Sequence, residues 1–140
     1  MPITFSYQVR SIRPSEKKKI IDWILLVAYL EHREIDEISY ILCTDKYLLA
    51  LNNKYLHHDE FTDIITFDAT AKKKIAAEIY ISADRIKANA RTFQTSVQNE
   101  LRRVLIHGIL HCCGYGDKTA REKLKMRKKE DEYLDLFNNL

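Results

Sequence analysis

Residues 107–117 read His107-Gly108-Ile109-Leu110-His111-Cys112-Cys113-Gly114-Tyr115-Gly116-Asp117. The apolar residues around the two histidines have helical spacing, and residues four apart lie one turn above each other on the same helix face. We expect Gly114 to end this helix, because glycine readily adopts the left-handed backbone of helix C-termini. The turn that follows can return Asp117 towards His107 and His111.

These three side chains form a candidate metal site. Two imidazoles and one carboxylate supply three protein ligands and leave a fourth position open, as in catalytic rather than structural zinc sites. We therefore predict one zinc ion per chain, bound by His107, His111 and Asp117. Iron is the alternative metal, because some oxygenases use the same ligand set. Asp117 has an alternative role, since aspartate is also a favoured cap for a following helix.

Gly108 limits the chemistry of this site. Metalloproteases of the HExxH type carry a glutamate after the first histidine, and it acts as the general base. This chain has a glycine there, so a peptidase would need a carboxylate from elsewhere, such as Glu78 or Asp63.

Outside this stretch, sequence patterns predict four strands and five helices. Period-two alternation and β-branched residues predict strands over residues 3–9, 38–43, 62–67 and 75–81. Cap signals predict helices that begin near Ser15, Thr44, Ser82, Ser96 and Thr119. The order β-α-β-α-β-β-α-α-α predicts an α+β fold, with residues 1–140 forming a single domain in which helices cover a mixed four-stranded sheet.

The composition excludes several classes of protein. No apolar run has the length of a membrane span, and the N-terminus lacks the basic and apolar regions of a secretory signal. Three cysteines, two of them adjacent at Cys112 and Cys113, argue against a disulfide framework. We therefore expect a cytoplasmic protein without a membrane partner, in which Cys112 and Cys113 pack as small buried residues.

Basic residues are clustered along the chain, although the net charge is only +3. Clustered Lys and Arg side chains can bind nucleic-acid phosphates, or they can form solvated helix faces. The clusters are Lys17-Lys18-Lys19, Lys72-Lys73-Lys74, Arg102-Arg103 and the seven basic residues between Lys118 and Lys129.

The 107–117 stretch matches the motif H-G-x-L-H-x-x-G-Y-D-H at His107, Gly108, Leu110, His111, Gly114 and Tyr115. In these residues the chain resembles the YbeY family, bacterial endoribonucleases of ribosomal-RNA maturation. The usual third ligand of that family is a histidine, where this chain has Asp117.

Two further segments extend the resemblance. Residues 52–67 resemble the family segment N-x-x-Y-R-x-x-D-x-x-T-[DN]-V-L-S-F, with Leu56 in place of its arginine. Residues 77–85 resemble G-[DE]-I-x-I-S-x-[DE], with Ala77 in place of its glycine. The resemblance also implies that the 62–67 strand lines a cleft beside the metal helix.

The resemblance implies a zinc-dependent, single-strand-specific endoribonuclease that processes the 3′ end of small-subunit ribosomal RNA and takes part in ribosome quality control. Its implied partners are ribosomal RNA, the small ribosomal subunit and ribosome-associated proteins. Beyond a metal-bound water, the candidate catalytic residues are His58 and Asp63. The RNA-binding candidates are Lys54, Arg102 and Arg103. A metallopeptidase-like hydrolase and a non-catalytic zinc-containing ribosome assembly factor are the alternatives.

Overall fold

The computed structural model describes residues 2–56 and 62–140 of the chain. Over these residues it contains a four-stranded mixed sheet and five helices, which confirms the predicted α+β fold and order of elements. None of the described helices is both long and apolar enough to cross a membrane. The elements are β1 (Ile3–Tyr7), α1 (Lys17–Leu30), β2 (Glu34–Cys43), α2 (Asp45–Leu56), β3 (Ile64–Asp68), β4 (Lys74–Ser82), α3 (Ala83–Thr92), α4 (Val97–Cys112) and α5 (Ala120–Asn138).

The strands lie in the order β1-β2-β4-β3. β1, β2 and β4 run parallel, which requires long connections such as the one that contains α1. β3 pairs antiparallel with β4 through a short turn and forms one edge of the sheet. The edge position leaves the outer side of β3 available to line a cleft.

The main hydrophobic core lies between one face of the sheet and helices α1, α4 and α5. Trp23 of α1 is fully buried there, and its indole N–H donates to the Tyr133 carbonyl oxygen at 2.8 Å. A smaller cluster on the opposite face joins Leu48 of α2 to Ile65 of β3. Alternate residues of β4 enter the main core, namely Ile75, Ala77, Ile79 and Ile81.

Four of the five predicted helix caps are present in the structure. α1 differs, because Glu16 precedes it in a left-handed conformation (φ 55°) and makes no side-chain cap. The other four caps each accept a backbone N–H bond: Thr44 from Tyr47, Ser82 from Arg85, Ser96 from Asn99, and Thr119 from Glu122.

β2 begins at Glu34, four residues before the start predicted from the sequence. Polar residues such as Glu34 and Asp36 have low intrinsic preference for strands, so the pattern conceals this part of β2. Pairing with β4 extends the strand, with Glu34 opposite Lys74 and a register shift between Ile35 and Glu37. Tertiary pairing therefore overrides local preference here.

Gly108 allows α4 to approach the sheet closely. A Cβ atom at this position would lie 3.0 Å from Ile79 Cδ1 and 3.3 Å from Ile64 Cδ1. The face of α4 between the two histidines therefore packs directly on β3 and β4. A glutamate at position 108 would be buried against these isoleucines, so this position is not suited to carry the general base of an HExxH peptidase.

We expect the Gly108→Glu substitution to destabilise the protein by about 3 kcal/mol or more, because it buries an unpaired carboxylate in a tightly packed contact. Urea unfolding followed by circular dichroism measures the change. Gly108→Ala is the matched control and should have a much smaller effect, since the isoleucine side-chain ends can shift slightly. An unfolding midpoint for Gly108→Glu equal to that of wild type would contradict the close packing.

Candidate functional site

α4 ends where the sequence predicted. Gly114 has φ 100°, and its N–H donates to the His111 carbonyl oxygen at 3.0 Å. The Tyr115 N–H donates to the Leu110 carbonyl oxygen at 3.1 Å, which completes a Schellman motif. This motif reverses the chain direction immediately after the second histidine.

The reversed chain brings Asp117 against His107. Asp117 Oδ2 lies 3.3 Å from His107 Nε2, as the predicted return of the turn required. Thr119, and not Asp117, caps α5 and forms a capping box with Glu122. The alternative capping role of Asp117 is therefore wrong, and its carboxylate faces the site.

The Glu31 carboxylate holds the turn that carries Asp117 in place through a set of polar contacts, called here the polar clamp. Glu31 Oε1 accepts a hydrogen bond from the Tyr115 hydroxyl at 2.9 Å, and the Tyr133 hydroxyl donates to Glu31 Oε2. Lys129 Nζ lies 3.7 Å from the same carboxylate. The clamp ties the end of α1 to α5 and to the turn that carries Asp117.

A cleft of about 490 Å³ runs between α4 and the edge strand β3. His107, His111 and Asp117 all line it, and Lys118 lies beside them. The placement of the 62–67 segment beside a cleft is confirmed. The other lining residues are Asn52, Leu56, Thr62, Ile64, Ile65 and Thr66.

Metal binding by this cleft stays a prediction. Within residues 2–56 and 62–140, no group of three or more His, Cys, Asp or Glu residues is arranged to hold a metal ion. His107 and Asp117 contact each other directly, and His111 is an exposed residue of the same cleft. The donor chemistry suits zinc, and His107 has the carboxylate partner typical of metal-binding histidines.

That partner is Glu130 of α5, which the sequence patterns did not identify as a site residue. Glu130 is only 4% exposed, and its Oε2 atom lies 2.7 Å from His107 Nδ1. Its other oxygen accepts a hydrogen bond from Arg103 at 3.0 Å. The signal was available, because Glu130 lies in the buried stripe of α5 between Met126 and Tyr133.

The surroundings of His107 raise its pKa. Burial by itself lowers the pKa, but the Glu130 hydrogen bond and the charges of Glu130, Asp63 and Asp117 together outweigh burial. The hydrogen bond to Nδ1 directs Nε2 towards Asp117 and the cleft. Glu130 therefore sets both the orientation and the charge preference of the ring.

A second cavity, of about 300 Å³, adjoins the other side of His107. The predicted catalytic candidate Asp63 lines it, together with Glu100, which is only 4% exposed. Burial raises the pKa of both carboxyl groups, although the charge of His107 partly opposes the shift at Asp63. The structure thus brings Asp63 next to His107, whereas His58 lies outside the described residues.

The RNA-binding candidates lie in three different environments. Lys54 is exposed on α2 and lies over the Tyr55 ring. Arg103 pairs with Glu130 and Asp131, and Arg102 stacks on the Phe137 ring. Neither arginine lines the cleft, and their predicted contact with RNA stays a prediction.

The two cysteines after His111 are packing residues in this structure. Cys112 is buried and Cys113 is half-buried, and both are free thiols. Burial raises the pKa of Cys112 to about 12 and that of Cys113 to about 11, so both are protonated at neutral pH. This agrees with their predicted role as small apolar residues.

The family model for Endoribonuclease YbeY matches residues 3–138. The chain belongs to the YbeY family. Three relatives named Endoribonuclease YbeY show the extent of the match. The protein from Flavobacterium psychrophilum is 44% identical over 97% of this chain and 96% of its own. The protein from Cytophaga hutchinsonii is 47% identical over 93% of this chain and 88% of its own length. The protein from Christiangramia forsetii is 49% identical over 84% of this chain and 82% of its own length.

A solved structure supports the fold of the family member described here. The solution structure of a Thermotoga maritima protein matches 96% of this chain and 88% of its own, with a TM-score of 0.64. The two sequences are only 24% identical, so the comparison concerns the fold alone.

We expect Glu130→Gln to lower the pKa of His107 in chelator-treated protein, because burial of the ring is then less strongly opposed by negative charge. NMR titration of the imidazole measures the shift. The raised pKa means that the Glu130 interaction stabilises the fold most below pH 6.5, the ordinary value for histidine. That stabilisation is lost as the pH rises through the folded-state pKa.

Glu132→Gln is the matched control, since Glu132 is exposed on the same helix. It should leave the His107 titration unchanged. Identical His107 titration curves in wild type and Glu130→Gln would show that Glu130 does not control this ring.

Proposed function

We propose that this chain is a zinc-dependent, single-strand-specific endoribonuclease that acts in the cytoplasm on ribosomal RNA. In this proposal it matures the 3′ end of small-subunit RNA and takes part in ribosome quality control. The observation that carries the proposal is the contact of His107 with Asp117 in a cleft that His111 also lines, in a member of the YbeY family. The names of the relatives support RNA cleavage as the reaction.

The residues of the cleft have separate roles in this proposal. His107, His111 and Asp117 would hold the zinc ion, which when bound can polarise a phosphodiester oxygen and acidify water. Glu130 orients His107 by its hydrogen bond to Nδ1. Asp63 is the candidate for proton transfer, because burial raises its pKa and makes proton uptake easier than for an exposed carboxylate.

The substrate phosphate needs a positive charge near the cleft. Leu56 lines the cleft at the position of the usual family arginine and supplies none. Lys118 lines the same cleft beside Asp117 and is exposed, so it is the described cation best placed for this role. His58 remains a second candidate from the sequence.

The decisive experiment compares metal content and RNA cleavage in wild type, His111→Ala and Asp117→Ala. We expect about one zinc ion per wild-type chain by mass spectrometry, following the three-ligand site. Both variants should lose most of the metal and of the cleavage of a single-stranded RNA, because each lacks one of three ligands. Asp36→Ala, which alters an exposed carboxylate of β2, should retain both.

The combination of results separates the alternatives. Bound zinc without cleavage of any RNA would favour the non-catalytic assembly factor. A folded wild-type protein that cleaves RNA at an unchanged rate after complete metal removal would contradict the zinc-dependent mechanism. Chelator-sensitive casein hydrolysis would revive the peptidase alternative.

The aspartate ligand predicts an altered metal preference. A carboxylate oxygen is a harder ligand than an imidazole nitrogen, so Asp117 should make the site more tolerant of metals such as manganese. We expect Asp117→His to raise the ratio of zinc affinity to manganese affinity, measured by competition with a chromophoric chelator. An unchanged ratio would indicate that Asp117 does not contact the metal.

A further inference from the structure

We propose that a second groove of this protein, separate from the cleft that the metal-ligand candidates line, binds a single-stranded stretch of the RNA substrate. The groove lies between residues 29–34, at the end of α1, and residues 71–74, at the β3–β4 turn. Its volume is about 820 Å³. We call it the hairpin groove. The inference rests on the proposed function, because it assumes that RNA is the substrate.

The hairpin groove is strongly basic. Four cationic side chains line it, namely Arg33, Lys72, Lys73 and Lys74, against one carboxylate, that of Glu34. Among the residues that the structure describes, none of these four cations forms an ion pair with a carboxylate. Unpaired, clustered cations attract a phosphate backbone and release its counterions.

The lysines are presented by a tight turn. Ala71 and Lys74 exchange both backbone hydrogen bonds at 3.1 Å, so Lys72 and Lys73 are the two central residues. Lys72 has φ 57°, a conformation in which glycine or asparagine is normally favoured at such a position. The turn therefore carries a lysine where a smaller residue would fit the backbone better.

Arg33 connects this turn to the C-terminal end of α4 by hydrogen bonds. Its guanidinium donates to the Lys72 carbonyl oxygen at 3.2 Å and to the Cys113 carbonyl oxygen at 3.1 Å. Both partners are neutral carbonyl groups, so these bonds do not cancel the positive charge of Arg33. The arginine therefore adds to the charge of the groove while it fixes the position of the lysines. Arg33 thus links the lysine cluster to the end of α4, the helix that carries His107 and His111.

Exposed apolar surface lies beside the cations. The Tyr29 side chain is 75% exposed and Leu30 is 44% exposed, and both line the hairpin groove. Cations that contact the backbone and an aromatic ring on which a base stacks are the two elements of single-strand recognition. An acidic protein segment would use the lysines but would gain no stacking on Tyr29, so RNA is the occupant that matches both features.

β3 and the end of α4 lead from the candidate cleavage cleft towards the hairpin groove. Thr66 of β3 lines the cleft, and the same strand continues into the turn that carries the lysines. On the α4 side, Arg33 contacts Cys113, two residues after His111. One RNA strand along the β3 edge can therefore occupy both sites, with the hairpin groove contributing affinity and register.

The test is RNA binding by the full-length chain in chelator, where cleavage does not interfere. Fluorescence anisotropy is measured with labelled oligouridines of about 15 and about 4 nucleotides. The first variant combines Lys72→Asn, Lys73→Gln and Lys74→Gln, and asparagine suits the backbone of residue 72. The second is Tyr29→Ala. The matched control combines Lys17→Gln, Lys18→Gln and Lys19→Gln, which removes equal charge about 18 Å away along α1.

We expect the hairpin variant to bind the longer RNA more weakly. A plot of log affinity against log salt concentration has a negative slope, and its magnitude should decrease by about 2 in this variant. This corresponds to about 0.7 for each of three lost phosphate contacts. Tyr29→Ala should weaken binding about fivefold or more, the lower limit for loss of one stacked base. The lysine control should bind almost as wild type, and the differences between the proteins should be larger with the longer RNA, which can occupy both sites, than with the shorter RNA.

The results distinguish a failure of the hairpin-groove proposal from a failure of the proposed function. A hairpin variant that binds the longer RNA like the lysine control would overturn the hairpin groove. So would unchanged RNA binding in this variant together with loss of binding to a polyglutamate peptide, which would identify an acidic protein partner. Zinc-loaded wild type that cleaves no RNA, while the hairpin variant still shows the binding defect, would overturn only the proposed function.

Discussion

The direct contact of α4 with the sheet at Gly108 is the constraint on which the rest of the structure depends. No side chain separates the helix from Ile64 and Ile79 at this point. The histidines on either side of the glycine are therefore held at a defined height above the edge strand β3. The cleft, the turn that carries Asp117 and the packing of α5 all follow from the position of this helix.

Buried polar groups then refine the position of His107. Burying Glu130 and Arg103 is unfavourable unless each charge is paired, and here each finds the other at 3.0 Å. The second oxygen of Glu130 holds the His107 ring. Buried ion pairs often stabilise a fold no more than apolar contacts of similar size, but this one gives the ring one orientation. A buried network of this kind is suited to a site whose ligand atoms must be in place before a metal or substrate arrives.

The local features of the fold were predictable because they arise from neighbouring residues. Ser96 and Gly114 bracket α4 as the sequence indicated, since capping and left-handed backbone are local preferences. The return of Asp117 followed from the short turn after Gly114. In contrast, the first residues of β2 were missed, because their strand conformation comes from pairing with β4. The sequence patterns did not single out Glu130, because a glutamate in a basic helix is usually exposed.

The sequence by itself determined the type and order of the helices and strands, the single α+β domain, and the cluster of two histidines and an aspartate within eleven residues. These features depend on side chains that are close along the chain. Only the tertiary structure decided the strand order β1-β2-β4-β3, the partners of His107 and the placement of Asp63 beside it. The parallel pairings of β1 with β2 and of β2 with β4, the contact of Glu130 with His107 and the placement of Asp63 all join residues more than twenty positions apart. Such contacts depend on how the elements pack, and no local preference encodes that packing.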